Sequence, residues 1–172
     1  MPASNARAAR QQPKAPVRRA FQRDLDAIDQ IERRSFARDR FPRRNLRRVL
    51  ASPACLFLIA DAEGAPAGYA MLLFRRGARV ARLYSIAVDP AYRGRGIAES
   101  LLTAAGAAAA KRGADRLRLE FRPSNVAAQR LYERAGFAPL ERRPAYYDDG
   151  EDAIRMEKRL IPERANDRSA QR

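Results

Sequence analysis

Between Val80 and Phe121 the chain reads in direct succession as apolar strand, glycine-bearing loop, long helix and second strand, and that order narrows the fold more than any other feature. "VARLYSIAVD" (80–89) is the first strand and "PAYRGRG" (90–96) the loop. The Ala- and Leu-rich pattern from Gly96 to Arg112 is the helix, closed by Gly113, and "DRLRLEF" (115–121) alternates as the second strand. Upstream, "CLFLIAD" (55–61), a turn at "AEGA" and "PAGYAMLLFR" (66–75) form an antiparallel hairpin that runs into residues 80–89 as a meander. "VRRAF" (17–21) can be a short first strand. Asp24 is placed to cap a helix carrying Leu25, Ile28, Ile31 and Phe36, and a short helix, Arg43–Leu50, follows Pro42. Downstream, "NVAAQRLYERA" (125–135) is a helix ended by Gly136, and "FAPLERR" pairs with "AIRMEKRL" as a closing hairpin. No internal repeat is present. Strands on both sides of helices imply a mixed α/β (α+β) sheet with helices packed on its faces.

At 172 residues and 46% hydrophobic, the chain suits one domain with a real core, over 17–160. Residues 1–16 and 161–172 are expected to be flexible tails, the first basic and poor in core-forming residues. The N-terminus lacks the apolar segment of a secretory signal and no run of eighteen apolar residues occurs, so the expectation is a cytoplasmic protein without a membrane partner. Cys55, the one cysteine, gives neither a disulfide framework nor a metal cluster, and beside "LFLIA" it reads as buried and inert.

The net charge of +15 is unevenly placed. Residues 33–48 carry +7, and Arg75, Arg76, Arg79 and Arg82 carry +4, while the rest of the domain is neutral on balance. Arg outnumbers Lys 32 to 3, so genome composition on a solvated surface explains these patches as well as attraction of a polyanion or acidic partner does. No zinc-finger spacing, clear helix-turn-helix or aromatic RNA-binding strand sharpens the nucleic-acid reading.

The glycine-bearing loop carries the chemistry. A helix N-terminus leaves N–H groups without partners and concentrates positive potential, Gly94 and Gly96 let an anion approach the backbone, and Arg93 and Arg95 add charge. This is an anion cradle suited to a pyrophosphate, distinct from the G-x-G-x-x-G and G-K-[ST] loops. Alone, the loop is a weak signal and reads more readily as a tight turn before an ordinary helix.

Arg93-x-x-Gly96-x-Ala98 resembles the [Q/R]-x-x-G-x-[G/A] acetyl-CoA signature of the GNAT N-acetyltransferase superfamily, and "LEFRPSNVAAQRLYERAGF" (119–137) resembles its fifth strand, fourth helix and sixth strand. Within it the chain is similar to the ribosomal-protein-alanine N-acetyltransferases, which also carry something like "RRPAYYDDGEDAIRMEKRL". The resemblance spans about residues 17–160. It implies a mostly antiparallel sheet of six to seven strands with helices on both faces. A splayed parallel pair would admit the pantetheine arm of acetyl-CoA, the co-substrate, against the backbone of Ile86, Ala87 and Val88. Arg93, Gly94, Arg95, Gly96, Ile97 and Ala98 would hold the pyrophosphate. By the same resemblance Glu120 is the base, acting through a water, and Tyr132 the acid at the departing thiolate, while Asn125 touches the CoA arm. On the residues alone, Glu120 can instead pair with Arg118 or Arg122 at the surface, Tyr132 can be core, and Asn125 can simply cap its helix.

The acceptor groove is framed in that superfamily by the loops "ARDRFPRRNLRR" and "RRPAYYDDGED", so Phe41, Tyr84, Tyr146 and Tyr147 join Glu120 as candidate substrate contacts. The ribosomal-protein enzymes carry fewer arginines in the first loop, which opens the acceptor to a protein or peptide N-terminus, a lysine side chain or a small amine; the arginines disfavour a cationic small molecule. Rival classes are a non-catalytic acyl-CoA-binding or regulatory domain and a nucleic-acid-binding module. The arginine patches would then serve an acidic or ribosome-associated partner.

Overall fold

The structure, a computed structural model, describes residues 14–160; both tails outside that span, 1–13 and 161–172, lie outside the described residues. Among the described residues seven strands and four α-helices follow the expected order: β1 (Val17–Arg19), α1 (Leu25–Ser35), α2 (Arg43–Leu50), β2 (Cys55–Ala62), β3 (Ala65–Leu73), β4 (Val80–Val88), α3 (Ile97–Lys111), β5 (Arg116–Phe121), α4 (Val126–Arg134), β6 (Ala138–Arg143) and β7 (Ala153–Arg159). They build one sheet in the order β1-β2-β3-β4-β5-β7-β6. Every neighbouring pair is antiparallel except β4 and β5, where α3 carries the chain back to start a parallel strand.

Helices cover the two faces unequally. On one face α3 and α4 pack Ile97, Leu101, Ala105 and Tyr132 against Leu56, Leu72, Leu83, Leu117 and Leu119. On the other, α1 and α2 pack Ile28, Ile31 and Leu46 against Phe57, Ile59, Tyr69 and Met71. The first six residues of β2, Cys55–Ala60, are therefore buried whichever way they point, whereas β5 alternates strictly, with Leu117, Leu119 and Phe121 buried and Arg116, Arg118 and Glu120 only half-buried. α1 lies on β3 and β4 and α2 on β2, so beyond β4 that second face is uncovered and Glu120 opens onto a cavity.

Two details refine the reading from sequence. Pro16, assigned to the N-terminal tail, already extends the β1 pairing, its carbonyl accepting the Asp61 N–H at 3.0 Å. Asp24 does not cap α1 through its side chain; its carboxylate turns back to accept the Phe21 N–H at 2.8 Å and pair with Arg18. Cys55 is a buried free thiol, as expected, and burial pushes its pKa up.

Gly68 sets how closely α3 approaches the sheet. A Cβ there would lie 2.9 Å from the Ala87 carbonyl oxygen, 3.1 Å from Ile97 and 3.2 Å from Leu101. Gly68→Ala is expected to destabilise the fold by about 1–3 kcal/mol through overpacking, read as a lower denaturation midpoint at unchanged slope. Stability equal to wild type would show that α3 yields at this point.

Candidate active site

The parallel ladder of β4 and β5 is short. It pairs Val80 with Arg116 through Leu83 with Leu119 and ends, although β4 runs on to Val88 and β5 to Phe121. The cause lies on the opposite edge of β4, where Met71 pairs with Ser85 and Leu72 with Leu83, leaving Tyr84 as an extra residue. Burial records the same bulge: Ala81 and Leu83 face the α3 side, and after Tyr84 the parity changes, so that Ile86 and Val88 face it instead. A bulge bends its strand and ends pairing, and here it parts β4 from β5.

Two cavities occupy the parting. The first, about 430 Å³, is lined by Ile86, Ala87 and Val88, then by Arg93, Gly94, Gly96, Ile97 and Ala98. Gly94 and Gly96 sit in the left-handed region, φ +76° and +72°, and nothing lies within 4 Å of a Cβ built on either. The conformation asks for glycine while the space beside it stays open. No side chain caps α3, so its first N–H groups are free for an anion. Arg95 does not line this cavity: its guanidinium pairs with Glu63 at 2.7 Å and stacks over Tyr92. Asp89 fixes the loop's origin, accepting the Ala91 N–H at 3.0 Å and pairing with Arg34 of α1 at 2.9 Å.

The second cavity, about 320 Å³, brings together Glu120, Phe41, Tyr84, Tyr146 and Tyr147, five residues singled out from the sequence. Phe41 meets Tyr84 edge-on at 5.7 Å, and Tyr146 meets Tyr147 at 5.1 Å. Burial pushes the Tyr147 hydroxyl up to about 12. Ile86, Asn125, Ala128 and Tyr132 line both cavities, which therefore meet at the parting of the strands. Asn125 does cap α4, its Oδ1 accepting the Ala128 N–H at 3.0 Å, while still facing both spaces. Tyr132 is packed between Phe121 and Phe137, and burial raises its pKa, so its phenol stays protonated and able to donate.

Glu120 takes neither surface partner read from the sequence. Arg82 binds its Oε2 at 2.9 Å and Arg155 its Oε1 at 2.8 Å, while Arg82 also reaches the Tyr146 hydroxyl at 2.5 Å. Arg118 goes to Glu157, and Arg122 to Asp39, Asp149 and Glu151. The basic patches are accordingly divided: Arg82 belongs to the cavity, Arg79 pairs with Asp115, and Arg33, Arg34 and Arg43 pair with Asp29, Asp89 and Asp26.

Sequence reading missed Glu32, which lines the second cavity at 1% exposure with Tyr69 behind it. The signal was available, because Glu32 stands four residues after Ile28 on the apolar stripe of α1.

Comparison with known proteins shows the family and the fold. Residues 25–137 match the Acetyltransferase (GNAT) family. A Bacillus subtilis protein named, provisionally, a [ribosomal protein bS18]-alanine N-acetyltransferase is 35% identical over 144 residues, 83% of this chain and 94% of that one. The crystal structure of the Escherichia coli ribosomal-protein-S18-alanine N-acetyltransferase superposes with a TM-score of 0.77 at 32% identity, covering 88% of this chain and 97% of that one. A Thermoplasma acidophilum N-acetyltransferase solved with coenzyme A shares the fold at 21% identity and a TM-score of 0.72, covering 86% of this chain and 99% of that one.

The Ala91 N–H, followed by Arg34, holds the Asp89 carboxyl below the usual carboxylate range against the opposing cost of burial. A depressed folded pKa stabilises above the unfolded value and is lost as pH falls through the folded one. Asp89→Asn is therefore expected to lower Tm near pH 7, with the gap to wild type closing as the pH is taken below about 4, the unperturbed Asp value. A gap of constant size across thermal scans down to pH 2 would show that the charge contributes nothing.

Proposed function

The chain belongs to the acetyltransferase (GNAT) family and is an N-acetyltransferase, and from that premise we propose that it moves the acetyl group of acetyl-CoA directly to the α-amine of a protein or peptide N-terminus, of the ribosomal-protein-alanine type. One observation carries the reading: an anion-binding cavity and an aromatic-walled cavity meet where two parallel strands part, with a protonated tyrosine at the junction. The pyrophosphate would sit on the N–H groups at Gly94, Gly96 and the start of α3, with Arg93 beside it. The pantetheine arm would follow Ile86 to Val88, where β4 has no partner on its β5 side, and free N–H groups there polarise the thioester carbonyl. The acceptor enters between Phe41, Tyr84, Tyr146 and Tyr147, and once its ammonium has passed a proton to a base lining this cavity its nitrogen attacks the carbonyl carbon. As the tetrahedral intermediate collapses, the C–S bond breaks and Tyr132 gives the thiolate its proton; the phenolate recovers one from the new amide nitrogen. Glu120, fixed by Arg82 and Arg155, lines the wall that faces the incoming acceptor and orients water there.

The bS18-alanine names of the relatives support the N-terminal acceptor, and the ribosomal substrate they name supports a cytoplasmic setting. Among the described residues no helix is long and apolar enough to cross a membrane. The catalytic unit in this reading is residues 17–160. Arg44, Arg47 and Arg48, exposed along one face of α2 beside the acceptor loop, would add attraction for an acidic or ribosome-associated partner.

An acceptor screen with labelled acetyl-CoA tests the assignment: peptides with N-terminal alanine should outpace lysine peptides, free amino acids and polyamines. With the best acceptor, Tyr132→Phe should keep the packing and acetyl-CoA affinity and lower kcat by about 10²–10⁴-fold in single-turnover assays. A wild-type rate would make Tyr132 a packing residue alone. Changing Arg44, Arg47 and Arg48 together to Ser should raise KM for a ribosome-bound acceptor, more at low than at high salt, without altering KM for a short peptide. A KM for the ribosome-bound acceptor that the triple change leaves as in wild type would return the patch to ordinary solvated surface.

A further inference from the structure

Glu32 is the one charged side chain that the last turn of α1 places inside the apolar interface with the sheet, and no basic side chain among the described residues is bonded to it. Its Oε2 accepts the Phe41 N–H at 2.8 Å, and its Oε1 accepts the hydroxyl of Tyr69, itself 1% exposed on β3. The Tyr69 hydroxyl lies 2.8 Å from Ser85 Oγ, and Ser85, half-buried just after the β4 bulge, faces the acceptor cavity. Three oxygen-bearing side chains from β4, β3 and α1 thus form a continuous hydrogen-bonded line behind the cavity wall, with Ser85 and Glu32 at its two ends on the cavity and Tyr69 buried between them. A serine hydroxyl and a phenol each donate and accept at once, and the line ends on a carboxylate.

We propose that Ser85, Tyr69 and Glu32 are a proton relay that removes the proton of the acceptor amine. The proposal rests on the acetyl-transfer reading above. The acceptor ammonium N–H bond breaks to Ser85 Oγ as the serine proton passes to the Tyr69 oxygen and the tyrosine proton to Glu32 Oε1. The acceptor is left as the free amine that attacks, Ser85 and Tyr69 are unchanged in charge, and Glu32 becomes the neutral acid. After product leaves, the proton returns along the same line to water in the refilled cavity. Glu120 shares the cavity but suits this task less, because Arg82 and Arg155 already occupy both of its oxygens. Burial raises the pKa of Glu32, against the opposing bonds from Tyr69 and Phe41, which makes it the readier proton acceptor. Tyr69 is pushed well up by burial and by Glu32, so it passes a proton without itself ionising. The charges around the line are few. Arg40 of the loop and Asp29 of α1 act on Glu32 in opposite senses, and Asp29 is taken up by Arg33 and by Arg43 of α2. Tyr84 of β4 faces Tyr69, and Arg82 and Glu120 across the cavity are bonded to each other.

The test is a set of single-turnover pH–rate profiles for wild type, Ser85→Ala, Tyr69→Phe and the double variant, with an N-terminal alanine peptide as acceptor. A relay predicts that each single variant loses about 10²-fold near pH 7. The double variant should lose no more than either single, and all losses should fade at alkaline pH as the amine arrives already deprotonated. Acetyl-CoA affinity should hold throughout. Losses that multiply in the double variant, or that are the same at every pH, overturn the relay and leave Ser85 and Tyr69 as packing residues while acetyl transfer stands. If Tyr69→Phe does not fold, the Ser85→Ala and Glu32→Gln profiles decide the matter by the same pH criterion. Failure of the wild-type chain to acetylate any amine overturns the relay together with the function it serves, and differs from a relay failure in the wild-type trace.

Discussion

The arrangement of this protein depends on a ladder that stops. Four residues of β4 pair with four of β5, and one surplus residue, Tyr84, on the far edge of β4 ends the pairing. Everything chemical gathers where those hydrogen bonds are missing. The open edge of β4 faces the first cavity, Tyr132 comes in from α4 at the junction, and the bulge itself turns Ser85 and Tyr84 toward the second cavity. A continuous β4–β5 ladder would bury the same apolar residues and leave no place for a ligand to lie. Strand pairing lost at this point is the structural cost of having a site.

The two halves of the site are assembled differently. The proposed cofactor half comes from contiguous chain, the end of β4, the loop and the start of α3, so its shape follows from local rules of glycine conformation and helix termini. The proposed acceptor half draws on α1, the loop to α2, β4, β5 and the loop before β7, segments that meet only in the folded protein. Its walls are held by ion pairs and aromatic edges rather than by backbone geometry, with Arg82 joining Glu120 to Tyr146 and Phe41 resting on Tyr84.

That difference explains what could be read in the sequence. The element order, the left-handed glycine loop before α3 and the placing of Asn125 and Tyr132 at α4 were legible because each depends on residues close in the chain. The bulge was not, since "VARLYSIAVD" reads as one unbroken strand and the change of parity at Tyr84 shows only against the partner strand. Charge was the least legible property. Arg95 looked like a phosphate ligand and is held by Glu63, Arg82 looked like surface and lies in the cavity, and Glu120 found arginines 38 and 35 residues away rather than its neighbours. Long arginine side chains choose partners across the fold, and nothing in local sequence ranks those partners. Glu32 was legible as an anomaly on the apolar stripe of α1, but only the packed sheet reveals what it faces.

Arg122 ties together the two rims of the second cavity. Its guanidinium reaches Asp39 on the loop after α1 and both Asp149 and Glu151 on the loop before β7, and it lies 3.9 Å from the centre of the Tyr147 ring. Three carboxylates share one cation, so each anion tolerates the others only while the guanidinium stays between them. Pulling one rim away would leave the other with an uneven charge and an unstacked tyrosine. The two rims are thus joined through a single side chain, so removing that guanidinium would leave three carboxylates gathered at one edge of the cavity without the cation they share.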